Sequence, residues 1–229
     1  MLISHATSIS EKDAQTLVKN DAFISSTPDT ELQMGLGDTV AFRDDIKSHA
    51  SIGVDCHSNN SSDILTQIRI GMQHARAKDD EISVRNGGYP SVKIKLEEAF
   101  NLGTIQGARA INMQEDIGSL AEGKLADIVI FDGLTPSMMC AAEENPLAAI
   151  LLHASVRDID TVIVDGVVRK RGGKVCDIGI LEGLDGHAAR KMEWPGIVNE
   201  LRSSTQRIKQ RGEHQDLQAA KSALLKIFS

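Results

Sequence analysis

Aromatic side chains are scarce: Phe, Trp and Tyr make up 3% of 229 residues, with one Trp and one Tyr. The interior must therefore be aliphatic, drawn from a hydrophobic fraction of 41% that is ordinary for a globular chain. Cysteine is scarce as well. Cys56, Cys140 and Cys176 are odd in number, scattered, and form no Cys-x-x-Cys pair, so they read as reduced thiols of a cytoplasmic protein. No block of basic charge occurs, and the formal net charge is −7; nucleic acid and anionic membranes are therefore not expected as partners. No apolar run approaches the roughly 20 residues of a membrane span. The opening MLISHATSIS lacks the basic start and long apolar stretch of a secretory signal.

What is present is an alternation. In the N-terminal third, short apolar runs (MLIS, AFISS, SIGVD) are followed by polar turns and helix-forming stretches. TSISEKDAQTLVKN carries Ser caps and early acidic residues, which predicts a helix. TPDTELQMGLG is expected to be a loop from its Pro and Gly content, and TVAFRDDIKSHA a helix. In SSDILTQIRIGMQHARAK, residues Ile64, Leu65, Ile68, Met72 and Ala75 recur at helical spacing. Strands alternating with helices imply parallel pairing and an α/β class. NGGYP marks a break near residue 87, and SVKIKLEEAFNLGTIQGARAI reads as helix, turn, helix. From about residue 116 the texture becomes antiparallel β. An apolar run spans Ile128 to Phe131, and two β-branched runs flank Asp165-Gly166, a strong hairpin signal because both turn positions need positive φ. The remainder is polar and helical in propensity, with Trp194 before Pro195 expected to anchor its start.

Functional groups of βα barrels sit at the carboxyl ends of strands. Asp55 ends the third strand candidate and His5 the first. A carboxylate and an imidazole converging there suit work beside a metal-bound water, whose pKa falls to about 7. Asp55 would bind the metal and relay a proton; His5 would polarise the bond under attack or orient the hydroxide. The plainer alternative is that Asp55 is a turn or cap residue. Adjacent residues on an extended segment face opposite ways, so Asp55, Cys56 and His57 are not expected to ligate one ion. Cys56 is expected to be packed and His57 to face the pocket. Ser58 and Asn59 belong to a polar turn that either caps the next helix or contacts substrate. His49, His74, His153, His187 and His214 read as surface or structural residues.

Several stretches resemble the metal-dependent amidohydrolases, in the branch of cytosine, guanine and adenosylhomocysteine deaminases and chlorotriazine hydrolases. GVDCHSNNSSD is similar to that branch's eighth-strand motif, whose first Asp binds the metal. ISHATSIS resembles its sixth strand, whose His contacts substrate and hydroxide, and STPDTELQMGLG the loop after strand seven. LGTIQGARAINMQEDIGSLAEGKLADIVIFD is similar to a consecutive helix and strand of the family, and VDGVVRKRGGKV to its closing hairpin. The resemblance runs from residue 1 to about 176. It implies a partial (β/α)8 TIM-type barrel holding about the last three βα units in residues 1–112. A small β-sandwich-type domain in 113–180 and a helical tail in 181–229 would follow.

By the same resemblance the activity would be hydrolysis of a C–N bond, or C–Cl, in a small nitrogen-containing compound by metal-activated water. Asp55 would be metal ligand and proton carrier, His5 catalytic, and His57, Ser58 and Asn59 would contact substrate. Zinc or iron would be the cofactor of the complete site, and a small molecule the partner, with self-association into a homo-oligomer as a further expectation. One departure stands out. The family takes other metal ligands from a His-x-His pair on strand one and a His on strand five, and this sequence contains no His-x-His. Either the chain corresponds to part of a longer hydrolase, or it is a catalytically inactive binding or assembly module.

Overall fold

The computed structural model describes residues 1–181, 188–213 and 216–227. The chain divides into two compact units, Met1–Lys174 and Val175–Ser229. His187 and His214 lie outside the described residues.

The first unit begins with the expected alternation. β1 (Leu2–Ser4), β2 (Phe23–Ser26) and β3 (Ala50–Ile52) form a parallel sheet in the order β1-β2-β3, with Leu2 opposite Phe23 and Ile24 opposite Ala50. Parallel neighbours need a crossover. The first is α1 (Glu11–Lys19), which starts where the Ser10 hydroxyl accepts the Asp13 N–H at 3.1 Å and where Glu11 and Asp13 meet the positive end of the helix dipole. The second contains α2 (Pro28–Gln33), in the stretch whose Pro and Gly predict a loop. Pro28 at the first helical position, followed by Asp29 and Glu31, is a helix start that outweighs the later glycines. The helix expected over residues 39–50 is absent. Those residues make turns that bury Val40, Ala41, Phe42 and Ile46, then a single 3₁₀ turn at Lys47–His49. Burial of this irregular stretch, rather than helical periodicity, accounts for its apolar residues.

α3 (Ile64–Arg85) follows β3, capped by Asp63, whose carboxylate accepts from the Thr66 N–H at 2.8 Å and the Thr66 hydroxyl at 2.7 Å. Leu65, Ile68 and Met72 are buried as their spacing predicts, whereas Ile64 is exposed. α4 (Leu96–Leu102) and α5 (Ile105–Ala110) are the expected helix pair. One aliphatic core joins Ile24, Ile46, Ala50, Ile68, Met72, Leu102 and Leu151. Each of its Ile, Leu and Met side chains contributes about 1.5–3 kcal/mol when fully buried.

β4 (Ile128–Phe131) enters an antiparallel sheet of order β4-β5-β6-β7, completed by β5 (Ile159–Val164), β6 (Val167–Arg171) and β7 (Lys174–Val175). Between β5 and β6, Asp165 and Gly166 have φ of 50° and 73°, as the hairpin signal requires. Between β4 and β5 lie α6 (Ala141–Glu144), α7 (Pro146–Ala148) and a π-helical turn at Ala149–His153. Arg69 of α3 ties that turn down, donating to the Leu151 and Ala154 carbonyls at 2.9 and 2.7 Å.

The second unit holds β8 (Ile178–Leu181) paired antiparallel with β9 (Ala188–Met192), then α8 (Trp194–Gly212) and α9 (Leu217–Ile227). Residues 188–192 are thus strand, and the tail is helical only from Trp194, which is itself half exposed. Among the described residues no helix is long and apolar enough to cross a membrane.

Candidate active site

Three strand ends define the site. β1 delivers His5, whose backbone N–H continues the ladder by donating to the Ser25 carbonyl at 2.8 Å. Its φ is 65°, a left-handed value uncommon outside glycine and strained for a bulky side chain. The imidazole Nδ1 lies 2.9 Å from the Thr27 hydroxyl and 3.7 Å from Glu31 Oε1. Ser26, Thr27 and Glu31 come from the end of β2 and the first turn of α2. Glu31 is wholly buried. Its Oε2 accepts from the Ser26 hydroxyl at 2.7 Å and its Oε1 from the Thr27 N–H at 2.8 Å. Burial pushes the Glu31 carboxyl above the usual range, against the opposing pull of the Thr27 N–H, the Ser26 hydroxyl and nearby His5.

β3 ends at Ile52, so Asp55 lies three residues beyond the strand rather than at its last position. Gly53 makes the close pass: its N–H donates to the Ser26 carbonyl at 2.8 Å, and a Cβ there would fall 2.8 Å from Ser25 Oγ. Asn60 then holds the loop by donating to the Val54 carbonyl at 2.9 Å. Asp55 follows, exposed and with φ 59°. No hydrogen bond or ion pair of its carboxylate is made among the described residues. The ends of β1 and β3 are separated by two strand spacings, about 10 Å. His5 follows β1 and Asp55 lies in the loop after β3, both beyond the C-terminal ends of the strands, and no hydrogen bond or ion pair joins them among the described residues.

The other expected contacts are less convergent. His57 is exposed, with Nδ1 2.6 Å from the Ser62 hydroxyl. Ser58 is exposed and its hydroxyl donates to Cys56 Sγ at 3.6 Å. Cys56, expected to be packed, is exposed, because residues 56–59 turn instead of extending and no face of a strand is there to bury it. Asn59 is half-buried and bound into the scaffold: its amide donates to the Thr30 hydroxyl at 3.3 Å, and its carbonyl accepts from the Gln33 side chain at 2.8 Å. His49 and His74 are structural, pairing with Asp21 and Asp38 at 3.2 Å each.

Glu31 was not foreseen from sequence. The available signal was Thr27-Pro28 with acidic residues behind it, which marks a helix start and would have placed Glu31 in its first turns, facing back to the strand. Among the described residues no three His, Cys, Asp or Glu side chains are grouped to hold a metal ion. Catalytic zinc takes three protein ligands. The described donors therefore do not by themselves fit a metal.

Residues 1–52 thus form a parallel βα sheet with His5 and Asp55 beyond the C-terminal ends of its strands, an α/β arrangement. The chain belongs to the amidohydrolase family, whose profile matches residues 1–169. Among curated proteins it is 30% identical, over 78% of its length and 40% of theirs, to a 5-methylthioadenosine/S-adenosylhomocysteine deaminase of Pyrococcus horikoshii. It is 28% identical to a 5'-deoxyadenosine deaminase of Methanosphaera stadtmanae, over 72% of this chain and 36% of that one. The chain thus spans about two fifths of the length of the relatives it matches. Among solved structures, an adenosine deaminase from Xanthomonas campestris with bound zinc superposes with a TM-score of 0.72 at 21% identity, covering 91% of this chain and 42% of that one. An atrazine chlorohydrolase from Arthrobacter aurescens complexed with zinc gives 0.64 at 16% identity, over 80% and 38%. At those identities the likeness is one of fold.

Proposed function

We propose that this chain corresponds to the C-terminal portion of an amidohydrolase of the deaminase and chlorotriazine hydrolase branch. It would carry the last three βα units of a (β/α)8 barrel in residues 1–112, a small β domain in 113–180 and a tail in 181–229, in a cytoplasmic protein. The reaction is hydrolysis of a C–N bond in a small nitrogen-containing compound. Water adds to the carbon that bears the amine; Asp55 takes the water's proton and returns it to the departing amine, which leaves as ammonia. His5 either polarises the bond under attack or orients the attacking water. In the complete family site Asp55 would also be a ligand of zinc or iron, and His57 and Ser58, with Asn59 supporting the turn, would border the substrate. The single observation that carries this reading is that His5 and Asp55, singled out by residue type and position, lie at the C-terminal edge of one parallel sheet within the matched residues 1–169.

The test uses the longest polypeptide of the source organism that contains this sequence, supplied with zinc or iron and assayed for ammonia release from adenosine-type nucleosides and aminated bases. Asp55→Ala and His5→Ala are each expected to lower turnover by about 10²–10⁴-fold without loss of helical circular dichroism. Near-normal turnover in either variant removes that residue from the mechanism.

A second reading is favoured by the open sheet. β1 and β3 are its edges, and the described residues supply no three-ligand group. A catalytically inactive module that binds a small molecule or a second copy of itself would show both features. Absence of ammonia release from every substrate in the assay above, with self-association retained, would favour it.

A further inference from the structure

The Glu31 carboxylate has no part in the steps above, yet it is the most enclosed acid near His5, at 0% exposure. It cannot swing away, because one oxygen is held by the Ser26 hydroxyl and the other by the Thr27 N–H. The held oxygen Oε1 faces His5 Nδ1 across 3.7 Å, and the Thr27 hydroxyl lies 2.9 Å from the same nitrogen. Two arrangements satisfy that short contact. If Thr27 donates, Nδ1 presents a lone pair towards a carboxylate oxygen, and two negative regions are opposed in a partly buried place. If Nδ1 carries the proton and donates to Thr27 Oγ1, the N–H dipole runs towards the carboxylate and the field stabilises it.

We infer that Glu31 is a positioning residue for His5: its fixed carboxylate, behind the Thr27 hydroxyl that accepts from Nδ1–H, holds the imidazole as the Nδ1–H tautomer, leaving the lone pair on Nε2. Nε2 makes no hydrogen bond among the described residues, and the His5 side chain is 32% exposed, so that lone pair is available to a ligand at the sheet edge. The inference rests on the reading of His5 as an active-site residue and decides between its two roles. A bare Nε2 accepts a hydrogen bond from the attacking water and orients it; it has no proton to donate to the bond under attack. The Nδ1–H, carboxylate and outward Nε2 order is the arrangement by which an acid sets an imidazole's tautomer in hydrolytic sites generally.

The test reads the tautomer directly. The full chain is labelled with ¹⁵N and its histidine ring nitrogens are recorded by two-bond proton–nitrogen correlation, well above the ordinary imidazole pKa of about 6.5. His5 is assigned by the signals lost in His5→Gln. The expected wild-type result is a protonated Nδ1 and the shift of a bare nitrogen at Nε2. In Glu31→Gln the population is expected to move to Nε2–H, while in Thr27→Val, which keeps the carboxylate, Nδ1–H is expected to persist. An Nε2–H wild type, an unmoved Glu31→Gln, or a swapped Thr27→Val overturns the proposal. Should Glu31→Gln fail to fold, the wild-type and Thr27→Val spectra still decide. A merely structural Glu31 would lower stability and leave the tautomer in place. None of these spectra needs turnover, so failure here is separate from failure of the hydrolase reading, which the Asp55→Ala and His5→Ala assays report.

Discussion

Glu31 and Asp158 show how single carboxylates imprint opposite pH signatures on this fold. Glu31 is raised above 4.5 by burial, which outweighs its hydrogen bonds. A raised acid binds its proton more tightly in the folded state, so its contribution is complete below the unfolded value and is lost as pH rises through the raised one. Urea unfolding across that window is expected to show wild type losing stability with rising pH relative to Glu31→Gln, whose neutral amide does not titrate. Equal slopes for the two proteins would refute the assignment. Asp158 is the converse. Burial raises it, but hydroxyls of Ser137, Thr135 and Ser155 and the Ser155 N–H win, and its carboxyl falls far below 3.8. Its contribution is present above 3.8 and lost as pH falls towards the depressed value. Removing so many partners at once makes Asp158→Ala a loss of about 3 kcal/mol in denaturant unfolding; a change within about 0.5 kcal/mol, as at ordinary surface sites, would contradict it. The sequence singled out His5 and Asp55 because each follows a short apolar run; His5 does stand directly after β1, whereas β3 stops at Ile52, three residues short of Asp55. Glu31 was not, because its burial depends on α2 folding back over β2, and nothing local to STPDTE states that its acid points inward.

At the level of elements, periodicity worked where one face was buried and failed where burial was irregular. α3 was legible because Leu65, Ile68 and Met72 repeat at helical spacing and are all buried. The β5–β6 hairpin was legible because Asp165-Gly166 admits few other backbones. Residues 39–50 misled because Val40, Ala41, Phe42 and Ile46 are buried by turns, for which no period exists. α2 was hidden by its brevity. The packing of α3 on α2 yields a prediction that sets propensity against volume. Gly71 lies inside α3, where Ala would gain about 1 kcal/mol of helix propensity. A Cβ there would sit 2.9 Å from Pro28 Cγ and 3.2 Å from Phe42 Cε2. Pro28 is a rigid ring at the start of the helix that carries Glu31, so it cannot yield as a flexible chain end would. Overpacking of that kind costs about 1–3 kcal/mol and is expected to win. Gly71→Ala should therefore destabilise by about 1 kcal/mol in urea unfolding, and a stabilised variant would show that α2 moves freely.

For the whole molecule, the decisive quantities are strand number and ligand number. A closed (β/α)8 barrel has eight parallel strands in about 250 residues, whereas the parallel sheet here has three, with β1 and β3 as its edges. β3 is buried by its own chain, so the unpaired N–H and C=O groups open to another strand are those of β1. The sequence revealed the family through ordered motifs, but could not show that β3 is buried by its own chain while β1 stays exposed, since that depends on packing between residues far apart in sequence. Both consequences are measurable on the purified chain. Light scattering across a concentration series is expected to show reversible self-association, and a strictly monomeric mass at all concentrations would exclude a second copy as the cover. Metal content after dialysis against zinc-free buffer is expected to be well below one equivalent, because Asp55 alone cannot match the three ligands of a catalytic zinc. Stoichiometric zinc that disappears in Asp55→Ala would mean that copies of the chain pool their donors at the sheet edge. The two measurements then have to agree: metal retained at concentrations where the chain associates, and released on dilution, would make self-association the means by which the site is completed.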